Sequence, residues 1–360
     1  MYIKEIHLIN FRNYNKLDLY PKKDINLIYG KNAQGKTNLL ESIYLTSTGR
    51  SHRTAKENNL IKEGKEGFLI KIKGKKEDIP FSLEYKYIKG EKKQIKINNL
   101  EVKKIGEMIG VLNTVIFSPE DLQIVKQGPS ERRRFLDILI SQTYPSYFYK
   151  LQSLYRILKQ KNSILKNIEK RENIEILKIY NQKLIDISYE IIKRRKEALS
   201  EIENFFNKYI KDISNSKEIG KLVYISTLGY TKEEIKNNIT RNIKKEIKNK
   251  TSLYGPHRDD FEIYINNKNV KNFGSQGQQR TAVLSLKLSE IEIIKEKTGH
   301  FPILLLDDVM SELDLSRRKF LTNSIKTKQT FITSTEKKNY SDFKDITTFF
   351  RVLNGTIEEQ

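Results

Sequence analysis

The feature that most restricts the fold of this chain is the run from Ile25 to Leu45. Ile25-Asn26-Leu27-Ile28-Tyr29 reads as a strand, runs straight into Gly30-Lys31-Asn32-Ala33-Gln34-Gly35-Lys36-Thr37, and is followed by an apolar helical stretch from Thr37 to Leu45. The central run fits G-x-x-x-x-G-K-[ST], in which glycines let backbone N–H groups wrap phosphates and the helix N-terminus adds partial positive charge. In that geometry Lys36 reaches the β- and γ-phosphates of a nucleotide, with ATP expected, and Thr37 ligates Mg²⁺. The candidate nucleotide-binding residues are Gly30, Lys31, Asn32, Ala33, Gln34, Gly35, Lys36, Thr37 and Asn38.

A phosphate loop needs an acidic partner, and Ile303-Leu304-Leu305-Leu306-Asp307-Asp308 supplies it. Four successive apolar residues imply a strand covered on both faces, with the acids emerging at its carboxyl end, where ligands bind in such sheets. Asp307 is expected to hold Mg²⁺ through water, and Asp308 to position or deprotonate the attacking water. Asp308 and Lys36 are thus the catalytic candidates; Thr37 and Asp307 are the metal candidates.

Composition narrows the remaining choices. Of 360 residues, 37% are hydrophobic and 31% charged, a globular balance. There is no cysteine, which excludes disulfides, thiolate zinc sites and a cysteine nucleophile. Charges break the apolar residues of the N-terminus, unlike a signal peptide, and no apolar run approaches a membrane span. A cytoplasmic protein with no membrane partner is expected. Lysine and arginine outnumber acids 67 to 45, a formal charge of +22. Such a field suits a polyanion, although a lysine-rich composition also yields many merely solvated lysines.

Along the chain, strands are expected at Ile3 to Phe11, as alternating antiparallel runs between Phe68 and Val102 with turns at Gly74, Gly90 and Asn98-Asn99, and from Val111 to Phe117. From Ser146 to Ile219 there is neither glycine nor proline. Apolar residues recur there at Leu177, Tyr180, Leu184, Ile187, Ile191, Ala198, Ile202, Phe205, Tyr209 and Ile213, predicting a long amphipathic helix after one or two shorter ones. A strand near Leu222, a helix capped by Thr231 and Glu234, a hairpin at Asn266-Asn267, a helix from about Gln276 to Lys297, strands at Ile303 to Leu306 and Thr330 to Thr333, and a hairpin at Asn354-Gly355 follow. Neither mixed segment makes a complete sheet alone. The reading is one α/β core from residues 1–130 and 221–360, with a helical lobe, 131–220, inserted between them.

Further motifs carry a family resemblance. Ser275-Gln276-Gly277-Gln278-Gln279-Arg280, opening a helix, resembles the signature of ABC-type ATPases, and Ser311-Glu312-Leu313-Asp314 resembles their D-loop. With Asn10-Phe11-Arg12-Asn13-Tyr14, Phe117-Ser118-Pro119-Glu120-Asp121-Leu122, Glu131-Arg132-Arg133-Arg134 and Gly255-Pro256-His257-Arg258-Asp259-Asp260, they make the chain resemble the RecF family over essentially its full length. This is an SMC/ABC-type ATPase family whose P-loop head is formed from N- and C-terminal segments.

The resemblance implies that Ser275, Gly277 and Gln278 grip the γ-phosphate held by another copy, so that ATP closes a homodimer. It implies clamping of double-stranded DNA, at gaps or single-strand/double-strand junctions, between the lobes. It also implies a role in recombinase loading, DNA replication, DNA damage repair and the SOS response, with RecR and RecO as partners, and a weak DNA-dependent ATPase acting as a switch. Asp308 stands where most such ATPases have glutamate, consistent with slow hydrolysis; Ser118 falls at the Mg²⁺-contacting glutamine, and Ser334 at the switch histidine. Alternatives are an SMC-type chromosome-organising tether, which needs longer heptad arms, and a transporter-coupled ABC ATPase, which has less need of such basicity. Arg53 could reach nucleotide or DNA, or be solvated; the Arg132-Arg133-Arg134 run could touch DNA or pair with acids. The four histidines lack metal spacing and are expected to be structural.

Overall fold

The computed structural model describes residues 1–168, 171–337, 346–353 and 355–360. Strands β1 (Tyr2–Phe11), β2 (Tyr14–Leu19) and β3 (Ile25–Tyr29) lead into helix α1 (Lys36–Thr48). Strands β4 (Gly67–Lys76), β5 (Ile79–Ile88), β6 (Gln94–Ile97), β7 (Leu100–Val102) and β8 (Thr114–Phe117) precede helices α2 (Pro129–Thr143), α3 (Pro145–Lys166) and α4 (Arg171–Ile213). Then come β9 (Gly220–Ile225), α5 (Lys232–Asn249), β10 (Asp260–Ile265), β11 (Lys268–Asn269) and α6 (Gln276–Thr298). The chain closes with β12 (Ile303–Leu306), α7 (Leu315–Ile325), β13 (Thr330–Ser334), β14 (Thr347–Leu353) and β15 (Thr356–Glu359).

The chain divides into two compact units, Met1–Asp121 with Leu286–Gln360, and Leu122–Ser285. The first contains an antiparallel sheet in the order β2-β1-β4-β5-β6-β7 and a second in the order β15-β14-β3-β13-β12-β8, parallel except for edge strand β15. Helix α1 packs against strands of both sheets and is buried from Leu39 to Ser47. Being covered all round, it shows no amphipathic stripe. Its Leu40 and Ile43 join Ile6, Leu8 and Ile70 from one sheet and Ile28, Leu305 and Phe331 from the other in one core.

Local expectations fail where packing intervenes. Gly74 is no turn: it lies inside β4, where a Cβ would stand 2.4 Å from the Tyr2 carbonyl oxygen and 2.6 Å from the Phe81 ring. The reversal falls after Lys76, with Glu77 at φ 55°. Strand β8 begins at Thr114 rather than Val111, and β2 was not anticipated. The Asn98-Asn99 and Asn266-Asn267 turns hold positive φ at both residues, as tight hairpins require. Strands β14 and β15 pair antiparallel; Asn354 itself lies outside the described residues.

In the second unit α4 is the long helix expected, and Leu177, Leu184, Ile191, Ala198, Ile202 and Tyr209 are buried. Phe205, Ile187 and Ile213 are only partly covered, whereas Phe206 and Ile210 are fully buried. The reason is that α3, α5 and β9 all pack on α4, which widens its buried face beyond one stripe. Thr231 and Glu234 form the capping box that starts α5.

Candidate nucleotide site

In the first unit β3 delivers the phosphate loop and β12 delivers the acids, with β13 between them. This spacing brings Thr37 to Asp307: the Thr37 hydroxyl donates to Asp307 Oδ1 at 2.8 Å. Thr333, on the intervening strand, donates to the same oxygen at 2.8 Å and accepts the Asp308 N–H at 2.9 Å. Burial pushes the Asp307 carboxyl upward, with Glu120 adding to the shift, while the Thr333 and Thr37 hydroxyls and the Arg53 charge oppose it. A buried carboxylate beside a hydroxyl is a hard-oxygen set that fits a divalent cation such as Mg²⁺.

The two acids part company at the strand end. Asp307 is buried, but Asp308 has φ 52° and is exposed. Aspartate tolerates this left-handed backbone better than most residues. Ser311 donates to the Asp308 carbonyl oxygen at 2.7 Å and reaches its Oδ1 at 3.2 Å.

Lys36 folds back over the loop and donates to the carbonyl oxygens of Gly30 at 2.6 Å and Lys31 at 2.9 Å. Burial lowers its ammonium pKa, and the charges of Asp308 and Asp307 raise it in part. Lys31, Asn32 and Ala33 are exposed at the loop tip, with Ala33 at φ 64°. Gly30 and Gly35 are required twice over. Their φ values are 154° and 113°, and a Cβ would lie 2.5 Å from the Val352 carbonyl oxygen and 2.5 Å from the Asn13 amide, respectively.

The loop rests on side chains whose roles were not read from the residues. Asn13 donates to the Gln34 carbonyl oxygen at 2.7 Å and accepts from Asn38 at 2.9 Å, and the Tyr14 hydroxyl donates to the Gly35 carbonyl oxygen at 2.9 Å. Arg12 makes a two-pronged ion pair with Glu41 of α1, at 2.9 and 2.7 Å. Burial would raise the Glu41 carboxyl, but hydrogen bonds from Arg12 and Ser51 and the charges of Arg12 and Arg53 outweigh it and hold it below its usual range. Arg53 is anchored rather than freely solvated: it donates to Asn38 Oδ1 at 2.9 Å and stands 3.5 Å from Glu41. The motif Asn10 to Tyr14 contained the signal for this cushion; nothing local marked Glu41 or Thr333.

The signature residues fall in the second unit. Ser275 precedes α6 and forms a reciprocal cap with Gln278: its hydroxyl accepts the Gln278 N–H at 3.2 Å, and its own N–H donates to the Gln278 side chain at 3.0 Å. Gln278 also donates to Glu218 at 2.7 Å. Ser275 and Gln276 are exposed, leaving a helix N-terminus open to an anion. In the D-loop segment, Asp314 caps α7 through the Arg317 N–H, and its carboxyl falls to about 2 chiefly through that bond and one from Ser316.

Two members of the arginine run are held by a segment distant in sequence, one through a carboxylate and one through a backbone carbonyl. Arg132 is buried and makes two hydrogen bonds with Asp260, at 2.7 and 2.9 Å, and Arg133 donates to the Asp259 carbonyl oxygen at 2.6 Å. Ser118 closes a tight turn, its N–H donating to Asp121 at 2.7 Å. The Ser334 carbonyl oxygen accepts from the Gly30 N–H at 3.3 Å. His7 lies between Asp18 and Glu5, His52 meets the Tyr44 ring edge-on, and burial lowers His257 and His300 to about 4. Among the described residues no group of three or more histidine, aspartate or glutamate side chains is arranged to hold a metal, and no helix is long and apolar enough to cross a membrane.

A P-loop and an acid-ended strand flanking β13, with a capped signature helix encoded before that strand, define an SMC/ABC-type ATPase head. The family model "RecF/RecN/SMC N terminal domain" matches residues 2–358. The DNA replication and repair protein RecF of Clostridium novyi (strain NT) is 44% identical over 365 residues, covering 100% of both chains. A solved structure of the recombination mediator protein RecF-ATPrS in the RecFOR pathway superposes with a TM-score of 0.93 at 40% identity, covering 99% of this chain and 98% of that one. One of RecF-ATP superposes at 0.91, also at 40% identity, covering 100% and 99%. The chain belongs to the RecF family of DNA replication and repair proteins.

Proposed function

We propose that this protein binds ATP with Mg²⁺ at the loop Gly30 to Asn38, closes as an ATP-bound homodimer on duplex DNA near gaps, and helps load recombinase there. The observation that carries the reading is the Thr37–Asp307 contact at 2.8 Å, which gathers loop and acid into one oxygen-rich site. Lys36 neutralises phosphate charge, and Asp308, exposed beside the loop, orients the attacking water. The related proteins solved with ATP and ATPrS support the nucleotide, and their RecFOR pathway supports RecR and RecO as partners.

Dimer closure rests on the signature. One loop supplies Lys36 and Thr37, and the Ser275-capped helix of the second copy supplies an N-terminal dipole and hydroxyl to the γ-phosphate. Asp308, shorter than glutamate, suits slow hydrolysis and a switch that holds before it releases. Sedimentation with and without ATP and Mg²⁺, alone and with a gapped duplex, tests the reading. An ATP-dependent dimer that retains DNA is expected; a monomer under every condition overturns it.

A further inference from the structure

We propose that the solvent face of α3 and α5 in the second unit is a duplex-DNA-binding surface. The proposal deepens the DNA-binding reading above and rests on it.

The first observation is the absence of acids. From Tyr144 to Ile168, a stretch containing all of α3, there is no aspartate or glutamate. At the chain's overall frequency of 45 acids in 360 residues, such a stretch would carry about three. From Lys236 to Lys250 the sole acid is Glu246. That acid is buried and spent: it accepts from the buried Lys161 ammonium at 2.7 Å and from the Leu253 N–H at 2.9 Å. The Lys161–Glu246 pair, with a bond from the Ser252 N–H to Asn162 at 2.7 Å, ties α3 to the end of α5, and the exposed acids of α5, Glu233 and Glu234, are confined to its first turn.

The second observation is spacing. On α3, Tyr155, Lys159, Asn162 and Lys166 recur at i, i+4, i+7 and i+11, forming one stripe that flanks the tie to Ser252. On α5, Arg241, Lys244, Lys245 and Lys248 recur at i, i+3, i+4 and i+7 and are all exposed. Lys245 reaches the Tyr254 hydroxyl at 3.2 Å. Among the described residues none of these cations has an ion-pair partner. Like charges at such spacing repel by a few tenths of a kcal/mol per pair, a cost removed when phosphates lie over them.

A lysine-rich composition alone does not explain this face, because the neighbouring α4 shares that composition and is mixed. Acids lie among its cations and some of them pair, as in Lys178 with Glu175 and Arg194 with Glu197, while its Glu190 and Asp186 take up Lys150 of α3 and Lys232 of α5. Nor does the helix dipole explain it, since Arg241 and Lys159 lie outside the last turns of their helices. Regularly spaced, unpaired cations with one exposed tyrosine fit a phosphate backbone.

The test replaces Lys159, Lys166, Lys244 and Lys248 by glutamine in the full chain and measures anisotropy of a labelled duplex, with ATP and Mg²⁺, across a salt series. Expected are a fall in affinity of about 10- to 100-fold near 0.1 M salt and a log–log salt slope shallower by about 3, with ATP binding unchanged and affinity restored by arginine at the same positions. If the unsubstituted protein binds no duplex at any salt, the DNA reading fails and this proposal with it. If it binds duplex and the glutamine variant keeps the same affinity and slope, this face alone is overturned. Loss of poly-glutamate binding with unchanged duplex binding likewise overturns it, and marks a dock for an acidic protein.

Discussion

Thr333 lies on β13 beside Asp307, the first residue past the end of neighbouring β12, and its hydroxyl donates to Asp307 Oδ1 at 2.8 Å while accepting the Asp308 N–H at 2.9 Å. One hydroxyl therefore orients both acids. It does so from the strand between loop and acid, so it sets the carboxylate that faces Thr37.

Thr333→Val keeps the shape but removes both bonds, at a cost of about 1–3 kcal/mol for the buried groups left unpaired. With one fewer donor the Asp307 carboxyl shifts further upward, and the gain in ATP affinity on adding Mg²⁺ should fall about tenfold. Thr333→Ser should restore it. Calorimetric titration with and without Mg²⁺ is the check; an unaltered Mg²⁺ effect in the valine variant removes Thr333 from the site.

Gly35 and Asn13 should be energetically coupled. A Cβ at Gly35 would strike the Asn13 amide at 2.5 Å, and its φ of 113° adds strain that no neighbour relieves. Gly35→Ala should lose stability and ATP affinity, and Asn13→Ala in the same chain should recover about 1 kcal/mol of the clash but not the backbone strain. Denaturant melts of the two single variants and the double variant measure this, and strict additivity contradicts it.

Arg12 and Glu41 supply a pH signature. Because the folded-state pKa of Glu41 lies below its unfolded value near 4.5, its contribution to stability is present above that pH and is lost as pH falls through the folded value. Arg12→Met removes the two-pronged partner of a fully buried carboxylate, leaving it the Ser51 hydroxyl and the more distant Arg53, and should cost about 3 kcal/mol at pH 7. Burial then favours the protonated acid, so the deficit should shrink as pH falls toward 4. Urea melts from pH 7 to 4 decide it; a deficit independent of pH assigns the loss to packing.

Ser275 offers a way to separate cap from signature. Ser275→Arg removes the cap and introduces bulk, and should abolish ATP-dependent dimerisation while ATP still binds the monomer. Ser275→Asp preserves N-capping and helix stability but sets a negative charge against the γ-phosphate. It too should fail to dimerise, with a melting temperature within a degree or two of the parent. A normal dimer in sedimentation would exclude the composite site.

The strand, glycine-bearing loop and helix from Ile25 to Thr48 were legible in the sequence because their geometry is made by contiguous residues. An apolar strand, glycines that reach positive φ and a following helix are enough to specify the unit, and Ile303 to Leu306 announced a strand covered on both faces by being uniformly apolar. The long helix and the Thr231–Glu234 cap were legible for the same reason. Phe206 rather than Phe205 lies fully buried because three neighbouring elements, not a helical period, set the buried face of α4.

Partners across the chain were decided only by the tertiary structure. Arg12 with Glu41, Arg132 with Asp260 and Thr333 with Asp307 pair because sheet order and helix packing bring them together, and hydrogen-bond partners at separations of 29, 128 and 26 residues leave no trace in local periodicity. Gly74 shows the same limit: its lack of a side chain serves close strand packing rather than a turn, a difference visible only once Tyr2 and Phe81 are in place. Local backbone preference and apolar patterning are short-ranged and can be read from neighbours in the chain, whereas burial and ion pairing depend on which distant surface arrives.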